Sequence, residues 1–316
     1  MILTDIASHI AGTLYGDGLL DIQAINDLHS ASQGQLSFVL EKQYIPLAQC
    51  SKASAFITFK YIDNLDNQIV IDSPKKALSD VIMLFKESIT SAYVSNHTAT
   101  ISQDAIISDL AFISEHCSIG DRTVISANVS IGYNCQIGSD VFIHPNVTLY
   151  DHTIIRDKVT IHAGSVIGSD GFGYYKDSDQ WFKVPHIGYV HIDDNVEIGA
   201  NTCIDRGCIG LTHIMSGCKI DNLVHIAHNT IMEPHVAIAA QVGFTGSTFI
   251  GKHVMIGGQA GVDAAKIGTH AIITAKAGVT KNVDDYQMVS GFPAWDHKKE
   301  LKKEAFLRKK FVRSHL

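Results

Sequence analysis

The sequence predicts a mainly β chain organised around a parallel β-helix, with a small α/β unit ahead of it and a helical tail behind it. Three observations predict the helix. Apolar residues fall six apart from Ile101, Ile107 and Ile113 on to Ile167, and the beat returns from Ile192 to Ile204 and from Ile214 to Val262. An α-helix repeats every 3.6 residues and a strand every two, so short strands joined by corners are the structure that makes every sixth residue face one core. Small residues follow the beat, as in Ile119-Gly120, Ile131-Gly132, Ile137-Gly138 and Ile198-Gly199. There glycine is expected to supply backbone angles that other residues resist. Three hexads close a triangular coil of eighteen residues, so positions eighteen apart should stack roughly 4.8 Å from each other.

Length and composition bound the rest. The 316 residues leave room for the solenoid and for smaller units at both ends, and a net charge of −7 argues against a general nucleic-acid binder. No basic and apolar leader opens the sequence and no run of about 18 apolar residues occurs, so the expectation is a cytoplasmic protein without a transmembrane segment. The six cysteines form no CxxC pair and read as small core or corner residues, without disulfides.

Taken in order, residues 1–96 lack the beat and read as a small α/β domain. Thr4 is placed to cap a helix carrying Ile6 and Ile10, with Gly12 as its stop. Leu36 to Val39 and Ala55 to Phe59 read as strands. Ser73-Pro74 opens a helix with Ala77, Val81, Leu84 and Phe85 on one face. Residues 97–290 hold the hexads. They are interrupted at 169–187 by a loop rich in glycine and aromatics, including Gly171, Phe172, Tyr174 and Trp181, which reads either as a binding surface or as an excursion packing its own aromatics. Residues 291–316 form a basic C-terminal helix, in which eight lysines and arginines oppose Asp296, Glu300 and Glu304. Leu301, Ala305 and Val312 give it a narrow apolar strip, with Leu307 and Phe311 beside it. Such a tail is either a solvated helix or a surface for an acidic partner.

Chemistry concentrates in Asp221-Asn222-Leu223-Val224-His225-Ile226-Ala227-His228-Asn229, where polar residues surround an inward Ile226. Histidine is the side chain best suited to take a proton near neutral pH. One coil onward from His228 stands Gly246, whose N–H is placed to meet a developing oxyanion. A base beside an oxyanion donor outlines acyl transfer without a protein nucleophile.

That segment, together with Val166 to Gly173, Glu197 to Gly207 and Val289 to Ala294, resembles the UDP-3-O-(3-hydroxyacyl)glucosamine N-acyltransferases of lipid A biosynthesis over nearly the whole chain. The resemblance implies a left-handed parallel β-helix and a homotrimer with sites between subunits. It also implies an acyl carrier protein as donor, its acyl group held on phosphopantetheine, with no cofactor and no metal on the enzyme itself. By the same resemblance His228 is the general base, Asp221 orients it, and Gly246 is the oxyanion donor, with His225, Asn229, Gly171 and Phe172 around the substrate. Phe38, Glu41 and Tyr44 occupy the place of a uridine-binding segment, where aromatic rings stack on the base.

Three departures stand out. Glu41 replaces an asparagine of the family, and an ionised carboxylate accepts hydrogen bonds but does not donate them. His225 replaces a glutamine. Between Val262 and Ile267 the beat shortens to five, and the family's auxiliary histidine is missing near Ala264, with Lys266 as its candidate substitute. Glu41 and the missing histidine keep a non-catalytic or altered-specificity paralogue open, and two further alternatives stand beside it: a related sugar O- or N-acyltransferase, and a zinc site between subunits drawn from His225, His228, His235 or His253.

Overall fold

The computed structural model describes residues 1–86, 98–263, 266–292 and 296–313, with side chains up to residue 307. Asn96, Ala264, Pro293 and Ala294, and the side chains of Arg308, Lys309, Lys310, Phe311, Val312 and Arg313, lie outside the described residues.

The hexads fold as a parallel β-helix of short strands stacked into three faces. The first face has ten strands, running from Ile106–Ile107 to Met288–Val289; the second has nine, from Phe112–Ile113 to Gly278–Val279; the third has nine, from Thr100–Ile101 to Lys266–Ile267. Beat residues pair one coil apart, Ile125 with Ile143 and Ile131 with Leu149. Their side chains form one continuous buried column from Ile113 to Val283. Each buried aliphatic side chain contributes about 1.5–3 kcal/mol of transfer free energy, so the column accounts for the fold's stability. Buried Cys117, Cys135 and Cys218 belong to it, and all six cysteines are free.

The corners differ from the expectation. The left-handed backbone position recurs every sixth residue, but it is held by His116, Arg122, Asn128, Asn134, Asp140, Asn146 and His152, with φ between 53° and 63°. Asn, Asp and His tolerate this region better than other non-glycine residues, which gives several of the histidines a plain structural reason. The glycines after the beat serve close approach instead. A Cβ on Gly120 would lie 2.6 Å from the Gly138 carbonyl carbon, and one on Gly199 would lie 2.4 Å from that of Asp221.

Irregular coils keep the register. The five-residue step shortens one coil, yet Ile250 still pairs with Ile267 and Val262 with Val279. The insertion at Arg206–Gly210 lengthens another, so Cys203 pairs with His225. The loop after Val166–Ser169 forms an antiparallel hairpin, Tyr174–Asp177 with Gln180–Lys183.

The N-terminal residues form a five-stranded sheet flanked by helices Leu3–His9 and Pro74–Phe85. Thr4 lies inside the first helix and bonds the Gly18 carbonyl, while Ile2 is its N-cap. That helix ends at His9, Ala11 takes the positive φ, and Gly12 leaves room for Ile69. The core of this unit is shared with the solenoid, because Val184 and Ile209 pack among Leu36, Phe38, Leu78 and Ile82. At the other end, helix His297–Arg313 leaves Leu301, Phe306 and Leu307 exposed. Among the described residues no helix is long and apolar enough to cross a membrane.

Candidate active site

His228 stands on the corner between the second and third faces, directly after strand His225–Ile226. The pairing of His225 with Gly243 brings Gly246 beside it, one coil on. A Cβ at Gly246 would lie 2.5 Å from His228 Nε2, so the imidazole rests against a backbone that only glycine leaves open. The neighbouring amides of Thr245 and Ser247 are used, donating to Val262 O and His228 O, whereas the Gly246 N–H has no partner among the described residues.

The tautomer of His228 follows from Asn229. The Asn229 amide is oriented by two bonds: its Nδ2 donates to Ile209 O at 2.7 Å and its Oδ1 accepts the Cys208 N–H at 2.9 Å. That same Oδ1 lies 3.1 Å from His228 Nδ1. An amide oxygen only accepts, so Nδ1 carries the proton and Nε2 presents its lone pair beside Gly246.

A second histidine completes the constellation. His186, at the base of the hairpin, is buried, and its ring centroid lies 5.3 Å from that of His228 at 80°. Its Nδ1 lies 3.0 Å from Val184 O, which fixes Nδ1–H as donor, while Nε2 is closed off from solvent without a partner. Burial pushes its pKa down to about 4, helped by the positive charge that His228 can carry. Gly171 makes room for both rings, since a Cβ there would lie 2.8 Å from His228 and 2.9 Å from His186 Nε2.

Below the histidines, buried Asp205 accepts Ser169 Oγ–H at 2.9 Å and faces His225 Nε2 at 3.6 Å. Burial raises its pKa, against the bond from Ser169 and the pull of His225 and His228. Buried Arg206 ties two further coils by donating to Gly168 O at 2.6 Å and Asp151 O at 3.2 Å. A cleft of about 950 Å³ opens here between His186, Asp170, Tyr150, Arg206 and Phe85.

Other predicted site residues are placed apart. Asp221 lies on the corner between the first and second faces, the corner before that of His228, because seven residues carry the chain past one side of the triangle. Its carboxylate accepts the Asn222 N–H at 2.7 Å and lines a separate cavity of about 990 Å³ with His162, Glu197, Lys219 and Met255. Within one chain, therefore, Asn229 and not Asp221 orients His228. Phe38 is 8% exposed in the N-terminal core and offers no free ring face, whereas Tyr44 is 37% exposed and Glu41 pairs with Gln43 Nε2 at 3.2 Å. Phe38 is buried because its strand lies inside the sheet, covered on both sides. Phe172 is 87% exposed and lies 5.0 Å from the Tyr174 ring.

His186, Asp205 and Arg206 are the site residues that sequence reasoning missed. For the latter two a signal existed: the beat jumps from Ile204 to Ile214, which marks a longer coil and places Arg206 one coil before His228. For His186 no spacing signal existed, because the hairpin leaves the beat.

Comparison with known proteins agrees with this architecture. Residues 134–169 match the family model described as bacterial transferase hexapeptide (six repeats). The chain is 40% identical over 321 residues to the UDP-3-O-acylglucosamine N-acyltransferase of Campylobacter lari, with 100% of both chains covered. It is 49% identical to the namesake from Methylacidiphilum infernorum, covering 77% of this chain and 72% of the relative. The match to the Wolinella succinogenes namesake is 46% identical and spans about half of that relative, 49%. Among solved structures, the UDP-N-acetylglucosamine acyltransferase of Francisella novicida superposes with a TM-score of 0.50 at 26% identity, over 66% of this chain and 73% of that one. The Campylobacter jejuni UDP-N-acetylglucosamine acyltransferase shares the fold at a TM-score of 0.50 and 21% identity, over 61% and 71% of the two chains. With a full-length relative at this identity and a repeat fold to match, the chain belongs to the UDP-3-O-acylglucosamine N-acyltransferase family of acyl-transferring enzymes.

Proposed function

We propose that this protein moves a 3-hydroxyacyl chain from the phosphopantetheine thiol of acyl carrier protein to the 2-amine of UDP-3-O-(3-hydroxyacyl)glucosamine. The observation that carries the reading is the His228–Gly246 pair, a lone pair on Nε2 beside a backbone N–H without a partner among the described residues. The amine nitrogen attacks the thioester carbon, and His228 Nε2 takes the proton that the nitrogen loses as the C–N bond forms. The carbonyl oxygen becomes an oxyanion that the Gly246 N–H receives. When the tetrahedral adduct collapses, the C–S bond breaks and the thiolate recovers the proton from the imidazolium. Amide and free thiol are the products, and no cofactor takes part.

Tyr44 and Glu41 are the exposed residues available to a uracil ring, with Phe172 on the hairpin. In the homotrimer that the family implies, the cavity lined by Asp221 faces a neighbouring chain, which is the route by which Asp221 enters a site between subunits. The deciding assay uses acyl carrier protein thioesters of several lengths with the O-acylated UDP-glucosamine. The wild-type protein should form amide, and His228→Ala should lower turnover by roughly 10²- to 10⁴-fold with its oligomeric state intact. Near-normal turnover in the variant sinks the assignment. No product from the wild-type protein at any length favours a non-catalytic paralogue.

A further inference from the structure

Away from the His228 corner, the third face carries another histidine pair. His191 in strand Tyr189–Ile192 and His213 in strand Leu211–Ile214 are direct register partners, and their rings stack at 4.9 Å and 24°. Asp193, on the corner directly after the first strand, sends Oδ1 to within 3.4 Å of His191 Nε2 and 3.1 Å of His213 Nε2. All three side chains are half-buried, and His213 Nε2 is closed off from solvent without completing a hydrogen bond. The three ligand atoms lie within 4.8 Å of one another.

We infer that His191, Asp193 and His213 form a three-ligand site for a divalent transition metal, zinc best matching the set. Two imidazole nitrogens and one carboxylate oxygen are zinc ligands, and bonds of about 2.0–2.1 Å in a tetrahedron set ligand atoms roughly 3.3 Å apart. The two nitrogen–oxygen separations, 3.1 and 3.4 Å, already bracket that edge.

One competitor is present. Arg156 Nε lies 3.3 Å from His191 Nε2, and its exposed side chain must swing aside when metal enters. The column His235, His253 and His270 also stacks, at 5.2 and 4.7 Å, but no carboxylate joins it in a ligand cluster among the described residues. The site sits where the coil lengthened at Arg206–Gly210 joins its neighbour, so a bound ion would clip two coils together. This inference is independent of the acyl-transfer reading.

Zinc titrated by calorimetry into the full-length protein, freed of metal by dialysis against a chelator, tests it. One ion per chain should bind at micromolar Kd or tighter, with a rise in Tm. His213→Ala and the shape-conserving Asp193→Asn should each weaken binding at least tenfold, whereas His253→Ala should leave it unchanged. Arg156→Ala should tighten it. Absence of binding to the wild-type protein, or equal affinity in well-folded Asp193→Asn, overturns the assignment.

Discussion

Asn229 occupies a left-handed corner position, and this local geometry turns its amide back so that one oxygen meets both the Cys208 N–H and His228 Nδ1. Asn229→Ala should therefore lower kcat by about 10²-fold, because the imidazole loses the bond that fixes its base nitrogen. Steady-state rates with the acyl carrier protein thioester check this, and the KM for the nucleotide sugar should hold. His186 makes a different prediction, on stability. Its folded pKa of about 4 lies below the ordinary 6.5. Above pH 6.5 neither folded nor unfolded chain holds the extra proton. As pH falls from 6.5 to 4 the unfolded chain binds it first, so stability drops across that window and levels off below it. The drop is about 3 kcal/mol at most, at 1.36 kcal/mol per unit. Urea unfolding at pH 7 and pH 4.5 should show a smaller decline in His186→Gln than in the wild-type protein.

At the scale of the coil, two kinds of glycine share one repeat. Gly199 lies where a Cβ would press on the Asp221–Asn222 backbone at 2.4–2.5 Å, while Gly243, Gly261 and Gly278 have open space on the second face. Gly199→Ala should cost about 3 kcal/mol, since the backbone of the next coil has to move, whereas Gly261→Ala should stay within about 0.5 kcal/mol. Urea midpoints of the two variants decide between them. The same reasoning explains why the expected role of glycine failed at the corners. From His116 to His152 the left-handed angle is supplied by Asn, Asp, His and Arg122, and glycine takes it only further on, as at Gly164 and Gly217, so the glycines directly after the beat answer for contact between coils.

Across the whole molecule, the C-terminal helix presents Lys298, Lys299, Lys302 and Lys303 in its first two turns, with Leu301, Phe306 and Leu307 exposed beside them. Asp296 caps it by accepting the Lys299 N–H at 3.1 Å, and Lys303 pairs with Glu300 at 3.2 Å. If the tail receives an acidic carrier protein, neutralising these four lysines should raise the KM for the acyl donor severalfold at low salt and leave that for the nucleotide sugar unchanged. An unchanged donor KM identifies a solvated helix instead. The β-helix itself was legible from the sequence because one side chain in every six must enter a shared core, a periodic constraint that leaves a periodic trace. That trace also put Gly246 beside His228, since equal coils turn residue number into position. What the sequence left open was how side chains meet: His186 approaching on the hairpin, the bonds that Asp205 and Arg206 make on a lengthened coil that the beat itself marks, the Asn229 amide that orients His228, and Phe38 inside a sheet. Only the tertiary structure decided these, because the approach of a hairpin, the orientation of an amide and the burial of a strand depend on contacts between distant residues, for which the local pattern carries no signal.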